Sequence, residues 1–162
     1  MPIDSELLRQ VMRSWTSGVT IVTASYGLLQ HGMTVSSFTS ISLNPPWIMI
    51  SLQKASRTHD LVVGAGSFGV TILSAAQKEI SERFAGRIPD AEDRMTGLKI
   101  ETLETGAPLL KDGLSWLDCR VVQTIPAGTN TLFIAEVVAA RGGPENGQPL
   151  VYHNQDYHQI KN

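Results

Sequence analysis

Cysteine is almost missing from this chain: Cys119 is the only one among 162 residues. A single thiol closes no intrachain disulfide, so a reducing, cytoplasmic setting is expected. Long apolar runs are missing too. No stretch reaches the roughly 18 residues that a membrane-spanning helix needs. The opening "MPIDSELLRQ" lacks the basic-then-apolar order of a signal peptide. Basic excess is absent: the formal net charge is −2, which argues against nucleic-acid and polybasic membrane roles. Histidine is sparse, and His31, His59, His153 and His158 are scattered without ligand spacing on one helix. His153 and His158 could meet near the tail, but two surface histidines are the simpler expectation, and no metal site is expected. The chain also lacks a nucleophile elbow, a P-loop and the dinucleotide glycine fingerprint. There is no internal repeat and no low-complexity tract.

What is present suits one domain over residues 1–162. Hydrophobic residues make up 42% of the chain, and a domain of this length buries roughly 70% of its unfolded surface without a staple. "DSELLRQVMRSW" reads as a helix capped by Asp4 or Ser5, with Leu7, Leu8, Val11 and Met12 on one face. "SGVTIVTASY" and "SFGVTILS" are β-branched strands, and "MTVSSFTSISL" is a hydroxyl-dense extended segment. "NPP" at 44–46 marks a sharp entry into the strand "WIMISLQ", because proline donates no ladder hydrogen bond.

A short helix is expected over about 57–64. "SAAQKEISERFAG" is the clearest helix, with Ser74 and Gln77 as a capping box, Ala76, Ile80 and Phe84 on one face, and Gly86 at its stop. "RIPDAEDRMTG" is a polar loop of a type that often carries function. "LSWLDCRVVQTI" and "TLFIAEVVAAR" are longer strands joined by the turn "PAGTN". Leu117, Cys119 and Val121 share one face of the first, Trp116, Asp118 and Arg120 the other. Cys119 is expected to be a buried, inert thiol. Many strands and few helices, without βαβ alternation, predict a mainly β fold with flanking helices, an antiparallel barrel.

Two stretches stand out as candidate sites. In "SLQKASRTHDLV", Lys54, Ser56, Arg57 and Thr58 crowd a strand exit and a helix entrance. A helix N-terminus offers unsatisfied N–H groups and partial positive charge, so the junction suits a phosphate. Equally, Ser56 caps the helix and the cations are solvated. In "TVSSFTS", alternation puts Thr34, Ser36 and Phe38 on one face and Val35, Ser37 and Thr39 on the other. Such a strand suits a flat heteroaromatic ligand rich in acceptors, or is an edge kept polar.

Taken in order, "SGVTIVT", "GMTVSSFTSISLNPPWIMISL", "KASRT", "FGVTIL", "ERFAG", "LDCRV", "TLFIAEV" and "PLVYHNQDY" resemble the flavin reductase family of FMN-binding split-barrel proteins. The resemblance implies a Greek-key split β-barrel that forms a homodimer, with Trp47 and Trp116 as candidates for the covered surface. It implies FMN as the cofactor, with FAD an alternative. Thr34, Val35, Ser36 and Ser37 then contact the isoalloxazine. Ser51, Lys54, Ser56, Arg57 and Thr58 hold the ribityl phosphate, and Phe84, Ala85, Gly86 and Arg87 lie near the flavin edge. The implied activity is hydride transfer from NADH or NADPH to flavin, often on behalf of a monooxygenase partner. The chemistry is borne by the flavin, so no catalytic side chain is expected.

One turn departs from the family pattern. Many members carry glycine–aspartate–histidine where this chain has Gly128, Thr129 and Asn130. Asn130 can hydrogen-bond a nicotinamide carboxamide but cannot become cationic. An FMN-binding electron carrier that does not use nicotinamide directly is the alternative this turn raises.

Overall fold

The computed structural model describes residues 1–87 and 93–161. Its helices are Ser5–Met12 (α1), Arg57–Ala65 (α2) and Lys78–Glu82 (α3). The early strands are Ser17–Gly18 (β1), Thr20–Tyr26 (β2), Leu29–Val35 (β3), Phe38–Leu43 (β4), Pro46–Gln53 (β5) and Ser67–Ile72 (β6). Short Ile100–Glu101 (β7) and Leu109–Leu110 (β8) follow, then long Ser115–Ala127 (β9) and Asn130–Gly142 (β10), and finally Val151–His153 (β11) and Asp156–His158 (β12). The fold is mainly β.

Seven strands form one antiparallel sheet in the order β3-β2-β6-β9-β10-β5-β4. The sheet curls enough that β3 and β5, from opposite ends of that order, approach each other. Inside the curl, Val22, Ile50, Leu52, Phe68, Val70, Cys119 and Phe133 are buried together. Burial of such side chains is worth roughly 1.5–3 kcal/mol each, which is why the β-branched runs pay the entropy of becoming strands. α2 packs on β2 and β3 and adds Leu61 and Val62 to that core. A second cluster, including Val19, Ile21, Leu73, Phe84 and Leu150, lies under α3 and the C-terminal hairpin β11–β12.

The predicted helix ends hold where caps were legible. Asp4 accepts the Glu6 N–H at α1, and Ser56 accepts the His59 N–H at α2. Gly66, with φ 67°, ends α2 in a left-handed cap. The 74–86 helix is more broken than its pattern suggests. It comprises a tight turn over Ala75–Gln77, α3, and a widened turn over Arg83–Arg87 in which Gly86 has φ 83°. Ile80 and Phe84 pack inward, but Ala76 is exposed.

"MTVSSFTSISL" is not one strand. It breaks at Ser36–Ser37, and its halves, β3 and β4, lie at opposite ends of the sheet order. Trp116 is also placed differently from expectation. It is buried within the chain, its indole N–H donating to the Leu110 carbonyl, because the segment bearing β8 covers the outer face of β9. Trp116 is therefore no surface for a partner. Asp118, on that same face, is fully buried and takes the Thr105 N–H at 2.7 Å. Trp47 is half-buried, while Trp15 is largely exposed. Part of the polar loop "RIPDAEDRMTG", residues 88–92, lies outside the described residues.

Cys119 is fully buried, and its thiol is pushed up to about 12, first by burial and then by the neighbouring Asp118 charge. His153 and His158 do meet, with ring centroids 5.9 Å apart, and Thr16 Oγ1 sits 2.9 Å from His153 Nδ1. Among the described residues no group of three His, Cys, Asp or Glu side chains could hold a metal ion. Among them, too, no helix is long and apolar enough to cross a membrane.

Candidate functional site

One cleft of about 410 Å³ gathers residues from widely separated parts of the chain, Val19 among them. The end of β3 contributes His31, Met33 and Thr34, and the crossover contributes Ser36. The mouth of α2 supplies Ala55, Ser56, Arg57 and Thr58. The widened turn after α3 adds Phe84, Ala85 and Arg87, with Arg94 behind it. The C-terminal hairpin closes the remaining side with Tyr152 and Tyr157. Both expected segments, "TVSSFTS" and the strand–helix junction, thus meet at one place although some twenty residues separate them.

The hydrogen bonds define what each side chain can still offer. Ser56 Oγ donates to the Gln53 carbonyl at 2.9 Å and accepts the His59 N–H at 3.2 Å. Its single proton is spent, so Ser56 acts as the helix cap and not as a hydroxyl donor to a ligand. Thr58 is fully buried, with Oγ1 2.8 Å from His31 Nδ1. Positive character at this end comes from the Arg57 guanidinium and from the N-terminus of α2. Thr34 Oγ1 donates to the Ser81 carbonyl at 2.6 Å, and Ser81 Oγ lies 2.7 Å from the Tyr157 hydroxyl. Arg94, buried, donates from one guanidinium nitrogen to the Gly32 and Phe84 carbonyls at 2.9 and 3.1 Å. It clamps the Phe84 turn to β3.

Of the residues expected from sequence, Thr34, Ser36, Ser56, Arg57, Thr58, Phe84, Ala85 and Arg87 line the cleft. Val35 is buried in the core, so only its backbone could face a ligand. Gly86 shapes the turn through its left-handed backbone. Ser37, Ser51 and Lys54 lie in a neighbouring network instead. Ser37 Oγ donates to the Ser51 carbonyl at 2.8 Å, and Lys54 Nζ donates to the Gly128 carbonyl at 2.9 Å. Asn130 belongs to that network: its Nδ2 donates to Ser51 Oγ at 2.9 Å, and its Oδ1 accepts from Thr129 Oγ1 at 3.2 Å.

The cleft also contains residues that the sequence reading passed over: His31, Ser81, Arg94, Tyr152 and Tyr157. The two tyrosines carried a signal, since they frame the polar "HNQD" turn of a short hairpin, with rings 5.4 Å apart. Arg94 carried none: it looks like any loop cation until the fold buries it.

The donor set suits a flavin nucleotide. There is a cation at a helix mouth for a phosphate, two half-buried tyrosines offer flat apolar surface over the buried Phe84, and hydroxyls offer ring contacts. A mainly β domain with a nucleotide-sized cleft at a strand–helix junction is the class of protein these features define. The chain belongs to the flavin reductase family: the family model described as a flavin reductase like domain matches residues 12–161. It is 40% identical over 159 residues to the NADH-dependent flavin reductase StyB of Pseudomonas fluorescens, covering 96% of this chain and 90% of that protein. It is 36% identical over 152 residues to the reductase component of 4-nitrophenol 4-monooxygenase/4-nitrocatechol 2-monooxygenase from Rhodococcus opacus, covering 94% of this chain and 79% of that protein. Among solved structures, the NADH:FAD oxidoreductase SgcE6 of Streptomyces globisporus C-1027, in complex with NAD and FAD fragments, matches with a TM-score of 0.89 at 28% identity. That match covers 99% of this chain and 97% of the other.

Proposed function

We propose that this chain is an NADH-dependent flavin reductase that supplies reduced flavin to a monooxygenase partner. The observation that carries the reading is the convergence of Thr34, Ser36, Arg57, Phe84 and Arg87 on one cleft, in a chain matched to the family over residues 12–161. When bound, the flavin supplies the hydride acceptor. The protein's own part is to hold and orient it. Arg57 and the mouth of α2 bind the ribityl phosphate, Thr34 and Ser36 contact the ring, and Phe84 and Ala85 shield its edge from water. The nicotinamide partner and the monooxygenase are carried over from the relatives, and FMN and FAD are both candidates as the flavin.

The finer architecture we propose is a split barrel working as a homodimer, one domain over residues 1–162. The curled sheet supports the barrel. The dimer is supported by α1, none of whose residues is buried, leaving Leu7, Leu8, Val11, Met12 and nearby Trp15 exposed. A helix this short gains little stability alone in water and needs its apolar face covered. Light scattering should report twice the mass of one chain, and a monomer at micromolar concentration would refute the dimer. A lone buried thiol supports a reducing, cytoplasmic setting.

The activity is tested by mixing purified protein with NADH or NADPH and either FMN or FAD, and following the loss of nicotinamide absorbance. Oxidation well above the protein-free rate is expected with NADH. No acceleration with any combination would overturn the proposal.

A further inference from the structure

Two hydroxyl protons at this cleft, those of Ser56 and Thr34, are committed to backbone carbonyls. Thr34 lies on β3 with its side chain on the cleft, and its partner is the Ser81 carbonyl, which can only accept. The one proton of Thr34 Oγ1 therefore points at Ser81, so the only hydrogen-bonding capacity this side chain has left for a ligand in the cleft is its lone pairs. The segment bearing that carbonyl is anchored through Ser81. This residue is fully buried, and its own hydroxyl is engaged with Tyr157 OH at 2.7 Å, which ties α3 to the C-terminal hairpin. The tyrosine is itself fixed, with Tyr152 5.4 Å from its ring centroid on one side and Lys78 Nζ 5.7 Å away.

We propose that Thr34 Oγ1 is a preset acceptor for the N3–H of the oxidised isoalloxazine ring. The inference rests on the flavin reading above and adds an assignment of polarity to it. In the oxidised ring system N1, N5, O2 and O4 are all acceptors, and N3 carries the only ring N–H. A protein group that can only accept is therefore complementary to one edge of the ring alone. A freely rotating hydroxyl would donate or accept at any edge and would fix no orientation. The Thr34–Ser81 hydrogen bond thus sets which way round the flat ring lies, and the contact between the Ser81 hydroxyl and Tyr157 ties down the segment that carries the accepting carbonyl.

The test compares FMN with its N3-methyl derivative, both oxidised, by fluorescence titration of the whole protein. The unaltered protein should bind FMN about tenfold more tightly, the usual worth of one hydrogen bond plus the penalty of leaving the Thr34 acceptor unsatisfied. Bulk at N3 could discriminate without any hydrogen bond, so the ratio is measured again in Thr34→Val and Thr34→Ala. It should fall to about threefold or less in both, because the acceptor is gone. Thr34→Ser should keep the full ratio. A ratio unchanged by losing the hydroxyl, or equal binding of both flavins by the unaltered protein, overturns the assignment of Thr34 alone. Failure of the unaltered protein to bind FMN at all would instead overturn the flavin reading.

Discussion

Ser56 and Arg57 are neighbours in one motif, yet the structure gives them different work, and paired substitutions should separate the two. Ser56 Oγ is saturated by the Gln53 carbonyl and the His59 N–H, so Ser56→Ala removes a helix cap. That costs about 1 kcal/mol of stability. In a chain of this size it lowers Tm by roughly 2–4 °C. Arg57 is exposed at the cleft, and its guanidinium is the charged group next to the α2 mouth. A charge-assisted bond to phosphate is worth roughly 1.5–3 kcal/mol, and solvent exposure places this one at the low end. Arg57→Met should thus weaken FMN binding about tenfold, with little change in Tm. Riboflavin, which has the same ring and no phosphate, serves as the internal control. Fluorescence titration of both flavins, with thermal melts alongside, reads both affinities and Tm for each variant. The expected pattern is loss of FMN affinity without loss of riboflavin affinity in Arg57→Met, and loss of Tm in Ser56→Ala. Equal loss of both flavins in Arg57→Met would show that Arg57 shapes the cleft and does not meet a phosphate. Unchanged FMN affinity would remove the phosphate from this junction altogether.

Two further outcomes follow from packing and ionisation. A Cβ added at Gly32 would sit 2.9 Å from Thr23 Cγ2 and 3.0 Å from Phe84 Cε1, while Arg94 holds both Gly32 and Phe84 by their carbonyls. Gly32→Ala should therefore cost roughly 1–3 kcal/mol in a denaturant melt and displace the Phe84 turn, weakening flavin binding with it. An unaltered melt would mean that Phe84 yields freely. Cys119 ionises near 9.0 when unfolded and near 12 when folded. The unfolded chain loses this proton first, so the group contributes nothing below pH 9. Above that, stability falls by about 1.4 kcal/mol per pH unit until the folded thiol also ionises. Denaturant melts at about pH 8 and about pH 10.5 should show this loss, and Cys119→Ala should flatten it. An equally steep alkaline loss in the variant would assign it to other groups.

How much was readable in advance depended on the range of the physics involved. The α2 junction was legible because Ser56, a cap residue, stands directly before an amphipathic run, and capping is decided within three residues. Strands β2, β6, β9 and β10 were legible from β-branched patterning and the "PAGTN" turn. Trp116 misled because strand alternation says which face a side chain takes, not whether a distant segment covers that face. The hydroxyl protons of Ser56 and Thr34 were equally out of reach, since each is spent on a carbonyl that only the folded backbone brings near.

The sequence by itself determined the local grammar: which runs become strands, where helices start, and a family likeness borne by ordered short motifs. Only the tertiary structure decided that β3 and β4 part to opposite ends of the sheet order, so that the segment between them faces α2. It alone brought Ser81, Arg94, Tyr152 and Tyr157 into the cleft, and drew Ser51, Lys54 and Asn130 into a network beside it. The reason is physical. Caps, turns and alternation are set by neighbours a few residues away, whereas a cleft is set by which distant surfaces bury their apolar faces against each other.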